Sequence, residues 1–496
     1  MLTSFCGFCL GSISAGSLAL TQRVKARSGY GLSLPDIHFS WATMPVRPPH
    51  VLLQSNQATR STKLSTSSYN FTFKKIILAF LVLCFLFVPS FLEASEVYVR
   101  GQRGAWYLEV DGEPFYVKGV GCGLSRGRNG EDYLKLAKDM GANSVRTWGT
   151  DQGTGEYLSL ANHYGLKVAA GIWLNYVDDQ GRCSYLHDEE YKKSKREEVL
   201  AYVRKYKDHP AVLMWVVGNE AIFFTKKEVE KIALCNFLEG LIREIHQMDP
   251  YHPVVYASAT IADLPYLAKY VPSLDIIGMN EYGSIRTAHG TWDYLKFNKP
   301  YVFTEYGHYI SLDRPKDINN RSVELSDQQK AQRYRDFSQQ IHSFKGYNLG
   351  GFVFHLGETT QESMTWWNLN EGELKRASFW TIYEFYTGNK APFEPIRIKK
   401  FLLSKIKDVK PAEMIEASVE LVGKDRDDLT FEYFLSSSQE NILEYYVNKY
   451  IPVKIFNSGP SARIKAPSKK GVYRVYGFVK DKNGNVTSAN KSIHVK

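Results

Sequence analysis

The sequence predicts an α/β chain built on one closed (β/α)8 barrel, with a β-hairpin before it and a small all-β domain of immunoglobulin or fibronectin-like sandwich character after it. Three observations lead there. Between Tyr116 and Tyr386, short apolar runs alternate with helix-period stretches through eight successive βα units. Some of those runs, Val212 to Val217 above all, are unbroken rather than alternating, as strands covered on both faces are. From about Ile396 the helical period stops, and only short alternating segments between turn signals remain. A doubly wound sheet rarely needs eight consecutive parallel strands, so closure is favoured.

The elements follow in order. Residues 1–73 are Ser/Thr-rich, almost without acids and aperiodic; they are read as a disordered or mis-assigned leader. Lys74-Lys75 then precede the apolar stretch Ile76 to Leu92 and Glu-Ala-Ser, which is the layout of a signal peptide over 74–95. That stretch contains Pro89 and is shorter than the roughly 20 residues of a spanning helix, so cleavage near Ala94 or Ser95 is expected, with an uncleaved anchor the alternative. The expected location is secreted or periplasmic, or membrane-anchored with the barrel outside the cytoplasm. Glu96 to Val117 alternates around Gly104 and the turn Asp111-Gly112-Glu113-Pro114 and is expected to form a hairpin lid.

The barrel, within 96–395, is expected to run through strands Tyr116–Gly121, Asn143–Trp148, Lys167–Leu174, Val212–Val217, Pro253–Ala257, Asp275–Met279, Tyr301–Thr304 and Gly350–His355. The helices between them are Glu131–Met140, Gly155–Tyr164, Lys193–Tyr206, Lys226–Gln247, Leu264–Tyr270, Asp327–Phe344 and Ser378–Tyr386, with a short element near Thr291–Lys296. The sandwich, 396–496, is expected to use Ala417–Val422, Leu429–Leu435, Val472–Val479 and, after the tight turn Asn483-Gly484, Thr487–Val495.

Composition excludes some classes. More than half of the formal net charge of +10 comes from the leader and apolar stretch, so the remainder is near neutral. With no basic stripe and no nucleic-acid motif, nucleic acid is not an expected partner. Cys122, Cys183 and Cys235 alone lie in the folded part, too few for a disulfide framework; they are read as buried free thiols, with one Cys122–Cys183 bridge the alternative. Aromatic residues at 14% suit either sugar stacking or a large aromatic core and do not decide between them.

The chemistry sits at two strand tips. AVLMWVVGNE ends in Asn219-Glu220, and YVFTEYG delivers Glu305. A barrel collects the carboxyl ends of its strands around one mouth, so the fourth and seventh strands set two carboxylates facing each other, which is the requirement of glycoside hydrolysis. Arg146 and Tyr282 are placed to contact Glu305, the first by charge and the second by donation, which leaves Glu220 as the neutral acid. Asn219 is expected on a sugar hydroxyl. Trp148 and Trp173, at strand ends, either stack on sugar or pack. His308 and His355 read as satisfied hydrogen-bonders, nothing has metal spacing, and no cofactor is expected. Glu281, Asp151 and Asp178 are loop acids of low weight. Taken singly, Glu220 or Glu305 has an ordinary surface reading, and Arg146 a structural pairing; taken together at these strands, the catalytic reading is stronger.

WVVGNE and FTEYG resemble clan A of the retaining glycoside hydrolases, and SVRTWG, GMNEYG and FTEYG resemble most the family two type of catalytic TIM barrel, over roughly Val97 to Thr387. The resemblance implies Glu220 as acid/base, Glu305 as nucleophile, Asn219 and Arg146 as substrate and nucleophile contacts, and Tyr282 as the nucleophile's partner. Two departures stand out: such enzymes usually carry sandwich domains ahead of the barrel, and this chain has His355 where the clan tends to place a Trp. Trp366, a loop later, is read as the replacement sugar platform, with packing on its own barrel the alternative. A retaining β-glycosidase acting on a carbohydrate substrate is thus expected, with carboxyl groups about 5 to 5.5 Å apart. The alternatives are a transglycosylase on the same site or a carbohydrate-binding barrel without catalysis. Membrane contact is expected only if 74–95 stays uncleaved, and the sequence does not reveal an oligomeric state.

Overall fold

The computed structural model describes residues 94–150, 153–177, 183–423, 428–440 and 447–496. The leader, nearly all of the 74–95 segment, Asp151 and Asp178 lie outside the described residues. Among the described residues, no helix is long and apolar enough to cross a membrane.

Three short antiparallel strands open the structure: β1 (Val97–Arg100), β2 (Tyr107–Val110) and β3 (Glu113–Phe115). Eight parallel strands then close a barrel: β4 (Val117–Gly121), β5 (Ser144–Arg146), β6 (Lys167–Ile172), β7 (Val212–Asn219), β8 (Val254–Ser258), β9 (Ile276–Glu281), β10 (Tyr301–Tyr306) and β11 (Asn348–Val353). β11 pairs with β4 and β10 with β9, so each strand lies between its sequence neighbours and no edge remains. The helices outside bury one stripe each. In the helix Glu228–Met248 the buried positions Leu234, Leu238, Leu241, Ile242 and Ile245 recur at three and four residues, the period of a single apolar face. The element expected to be short near Thr291 is a full helix, Ile285–Tyr294. Ser284 caps it by accepting from the Thr287 amide, and Ile285, Ala288 and Trp292 bury its inner stripe.

The meander is not a lid. Val97 donates from its amide to Tyr251 O and Trp106 to Gly346 O, both on segments that lead into barrel strands. Val97, Leu108 and Val110 pack into one cluster with Leu213, Val255, Ile276, Val302 and Leu349 inside the barrel. The sheet is therefore a floor at the amino ends of the strands, opposite the mouth. The connection forces this: β3 ends at Phe115 and β4 starts at Val117, so the chain enters the barrel directly beneath it.

After the last barrel helix, Ala377–Thr387, two four-stranded antiparallel sheets share a core. One holds Ile398–Leu403, Met414–Leu421, Ile455–Ser458 and Ser461–Lys465, and the other Leu429–Ser437, Tyr450–Ile451, Gly471–Asp481 and Val486–Val495. Alternate residues such as Ile415, Ala417, Val419 and Val475 point between them. Cys122, Cys183 and Cys235 are buried free thiols.

Because Leu108 is fully buried under the barrel, Leu108→Ala is expected to lower stability by about 3 kcal/mol in urea unfolding. A loss below roughly 1 kcal/mol would show that the floor contributes little to closure.

Candidate active site

An ideal strand points successive side chains to opposite faces, yet both Asn219 and Glu220 serve the mouth. The backbone explains how. Gly218 has φ +87°, Glu220 has φ +56°, and the β7–β8 register shifts between Val216 and Asn219. A Cβ at position 218 would lie 2.8 Å from the Tyr256 ring, so the turn needs glycine. Its far side is tied down by Glu220 N donating to Ala257 O and by Ile222 N donating to the Tyr256 hydroxyl, each at 2.8 Å. β10 does something similar: its register with β9 shifts between Phe303 and Glu305 and leaves Glu305 beside Asn280.

Glu305 is 6% exposed and accepts from three donors. Arg146 Nη1 and Trp148 Nε1 each reach its Oε1 at 2.7 Å, and the Tyr282 hydroxyl reaches Oε2 at 2.5 Å. Arg146, fully buried, also donates to Thr304 O and, through Nη2, to Asn219 Oδ1 at 2.6 Å. Asn280 closes the circuit. Its carbonyl accepts from the Thr304 hydroxyl at 2.8 Å, which turns its amide nitrogen toward Glu220 Oε1 at 2.7 Å and Asn219 Oδ1 at 3.2 Å. A chain of hydrogen bonds thus runs from Glu305 through Arg146, Asn219 and Asn280 to Glu220.

The two carboxyl groups have different surroundings. Burial, then the negative charge of Glu305, pushes Glu220 up to about 7. Burial, then the charge of Glu305, holds the Tyr282 hydroxyl well above its ordinary range, so it remains a donor. The site therefore pairs a carboxyl that carries its proton near neutrality with a carboxylate gripped by three donors, an arrangement suited to proton donation on one side and attack on the other.

The other expected residues divide. Trp148 lines the mouth and spends its N–H on Glu305, while Trp173 is exposed at the end of β6 with 39% of its surface free. Trp366 is a correction. It is 1% exposed, its Nε1 donates to Tyr309 O at 3.0 Å, and its carbonyl accepts from His308; a ring enclosed on both faces has none to offer a sugar. Trp367 is the one that reaches the site's wall, stacked 4.7 Å from His308 and tilted against Tyr282 at 4.9 Å. Burial pushes His308 down to about 3 and His355 to about 4, so both are neutral hydrogen-bonders at ordinary pH. Glu281 accepts from the Gly283 and Ser284 amides and shapes a turn. Asn280 and Thr304 were not singled out from sequence; only Asn280 left a signal there, as the polar residue in the apolar run of GMNEYG. Among the described residues, no group of three His, Cys, Asp or Glu is placed to hold a metal.

A raised carboxyl pKa carries a stability consequence. The folded value of Glu220, about 7, lies above its ordinary 4.5, so its contribution is full below pH 4.5 and is lost as pH rises through 7. Glu220→Gln keeps an acceptor for Asn280 and removes the titration. It is expected to melt higher than the wild type at pH 8, with the gap closing toward pH 4. A gap independent of pH would contradict the assignment.

Residues 110–323 match the family described as Glycosyl hydrolases family 2, TIM barrel domain. The chain is similar to Beta-glucuronidase of Rattus norvegicus, 31% identical over 224 residues that cover 40% of this chain and 32% of that protein. It is also similar to Beta-glucuronidase of Paenibacillus borealis, 28% identical over 234 residues that cover 40% and 36%. The chain thus spans about a third of the length of the curated relatives it matches. Among solved structures it is similar to a beta-glucuronidase of Bacteroides uniformis, with TM-score 0.46, 14% identity, and coverage of 81% of this chain and 48% of that one. Over residues 110–323, the barrel of this chain is similar to the TIM barrel domain of glycosyl hydrolases family 2.

Proposed function

We propose that the protein is a retaining β-glycosidase that cleaves its carbohydrate substrate by double displacement. The observation that carries this reading is the pair at the mouth: Glu220, pushed up to about 7, beside Glu305 held by Arg146, Trp148 and Tyr282. In the first half-reaction a Glu305 oxygen bonds to the anomeric carbon, the glycosidic C–O bond breaks, and the leaving oxygen takes the proton of Glu220. In the second, Glu220 removes a proton from water, whose oxygen attacks the same carbon and releases the Glu305 carboxylate. Asn219 is bridged to both catalytic groups and, in this reading, presents its amide to the hydroxyl beside the reacting carbon. Trp148 and Trp173 edge the sugar subsite. No step calls for a cofactor.

The β-glucuronidase name of the relatives puts a β-glucuronide first among substrates to try. The apolar stretch 76–92 behind Lys74-Lys75 supports export of the barrel, by cleavage or as an anchor, which amino-terminal sequencing of the exported protein tests.

The decisive experiment uses 2-deoxy-2-fluoro β-glycosides with good leaving groups, including the β-glucuronide, followed by intact mass and peptide mapping. One added glycosyl mass on the peptide containing Glu305 is expected. A label elsewhere would remove Glu305 from the role, and turnover without any trapped intermediate in the Glu220→Gln variant would argue for direct displacement by water. Two kinetic outcomes accompany it. Because Glu220 must carry its proton, kcat/KM is expected to fall above about pH 7 in the wild type. Loss of the phenolic donor in Tyr282→Phe is expected to cost about a hundredfold in kcat.

A further inference from the structure

The segment between β11 and the last barrel helix, residues 354–376, makes only a two-residue ladder at Asn370–Glu371 and Leu374–Lys375, yet much of it is buried. Buried loop backbone and hydroxyls need partners from somewhere. Some come from the barrel and from the loop itself, and others from the sandwich and from one ion pair beneath it. Glu324 accepts from the Ser363 hydroxyl at 2.6 Å and the Thr365 hydroxyl at 2.9 Å, and it is paired with Lys330, which also donates to Thr365 O at 2.6 Å. Glu324 Oε2, the oxygen that takes the Ser363 hydroxyl, also accepts from Asn490 Nδ2, on the last sandwich strand, at 2.7 Å. Although burial opposes it, Lys330 holds the Glu324 carboxyl down at about 2, so it is an acceptor throughout.

The same loop's next residues form the wall of the mouth. Trp366 is bonded to Tyr309 and His308, and Trp367 packs on Tyr282, whose hydroxyl is on Glu305. The links are therefore continuous: by contact from Asn490 through Glu324 to Thr365, along the chain from Thr365 to Trp367, and by contact again from Trp367 through Tyr282 to Glu305.

We propose that Asn490 and Glu324 are positioning residues: the sandwich, through them, sets the Trp366–Trp367 wall that holds Tyr282 against Glu305, so the carboxy-terminal domain is part of the working site rather than an appendage. This rests on the catalytic reading above, and the test separates the two. In the full chain, Asn490→Asp places a second carboxylate against Glu324 while keeping an acceptor for Arg474, and Asn490→Ala removes both the hydrogen bond to Glu324 and the one from Arg474. Leu435→Ala, a cavity in the sandwich core away from the loop, serves as the control for lost stability alone. The readouts are kcat and KM at a fixed pH, the melting temperature, and the indole N–H resonances of Trp148 and Trp367.

Asn490→Asp is expected to lower kcat about tenfold with KM within about twofold, because misplacement at the nucleophile acts in the transition state. Asn490→Ala shows the same split more weakly, both variants move the two indole resonances, and Leu435→Ala changes only the melting temperature. Wild-type kcat and unmoved resonances in folded Asn490→Asp and Asn490→Ala would overturn the inference. So would a fall in kcat equally large in Leu435→Ala. If the wild type turns over no glycoside but the resonances still move, the catalytic reading fails while the mechanical link from sandwich to mouth stands.

Discussion

Two carboxyl groups at one buried site repel, and most of the architecture at this mouth answers that constraint. Glu305 is given a fully buried guanidinium, an indole N–H and a phenol. Glu220 receives one amide and otherwise the cost of burial, which favours its proton. The difference between the two environments is what assigns different chemistry to chemically identical groups. Arg146 is the piece that cannot be exchanged for something simpler, since its two terminal nitrogens reach Glu305 and Asn219 at once. A lysine at that position presents a point charge without the fork, and one of the two contacts is lost.

Supporting such a site requires rigidity from elements that never touch it. The barrel closes without an edge, its lower end is filled by the amino-terminal meander, and its strand-eight loop is bonded to the sandwich at Thr360 and Met364. A second buried group strengthens that last junction: Arg376, at the start of the last barrel helix, pairs with Asp327 and donates to Ser488 of the sandwich at 2.7 Å. Buried charge without partners is costly, so an interface built this way tolerates little sliding.

Much of this was legible in the residue order. Periodicity placed all eight barrel strands, because a strand buried on both faces and a helix buried on one leave different apolar patterns. The ending Gly-Asn-Glu after an apolar run marked β7, and Arg146, Tyr282 and Glu305 converge as their strand positions imply. The misreadings share a cause. The meander was expected as a lid because alternation reports a half-buried strand but not which end of the barrel buries it. Trp366 was expected at the sugar because tryptophan at a loop looks the same whether its ring meets solvent or a neighbouring loop. Asn280 was passed over because a single polar residue in a strand gains meaning only when its partners are known.

The sequence by itself determined the barrel, the following β domain, and which two glutamates end the fourth and seventh strands, since these depend on local period and on chain order around a closed sheet. Tertiary structure alone decided which carboxyl keeps its proton, which tryptophan walls the site and what holds that wall. Each of those depends on distances between residues far apart in the chain: Asn490 and Glu324 are 166 positions apart, and Arg146 and Glu305 are 159. Electrostatic and packing energies fall off with separation in space, and linear spacing carries no record of that separation once the loops have folded over one another.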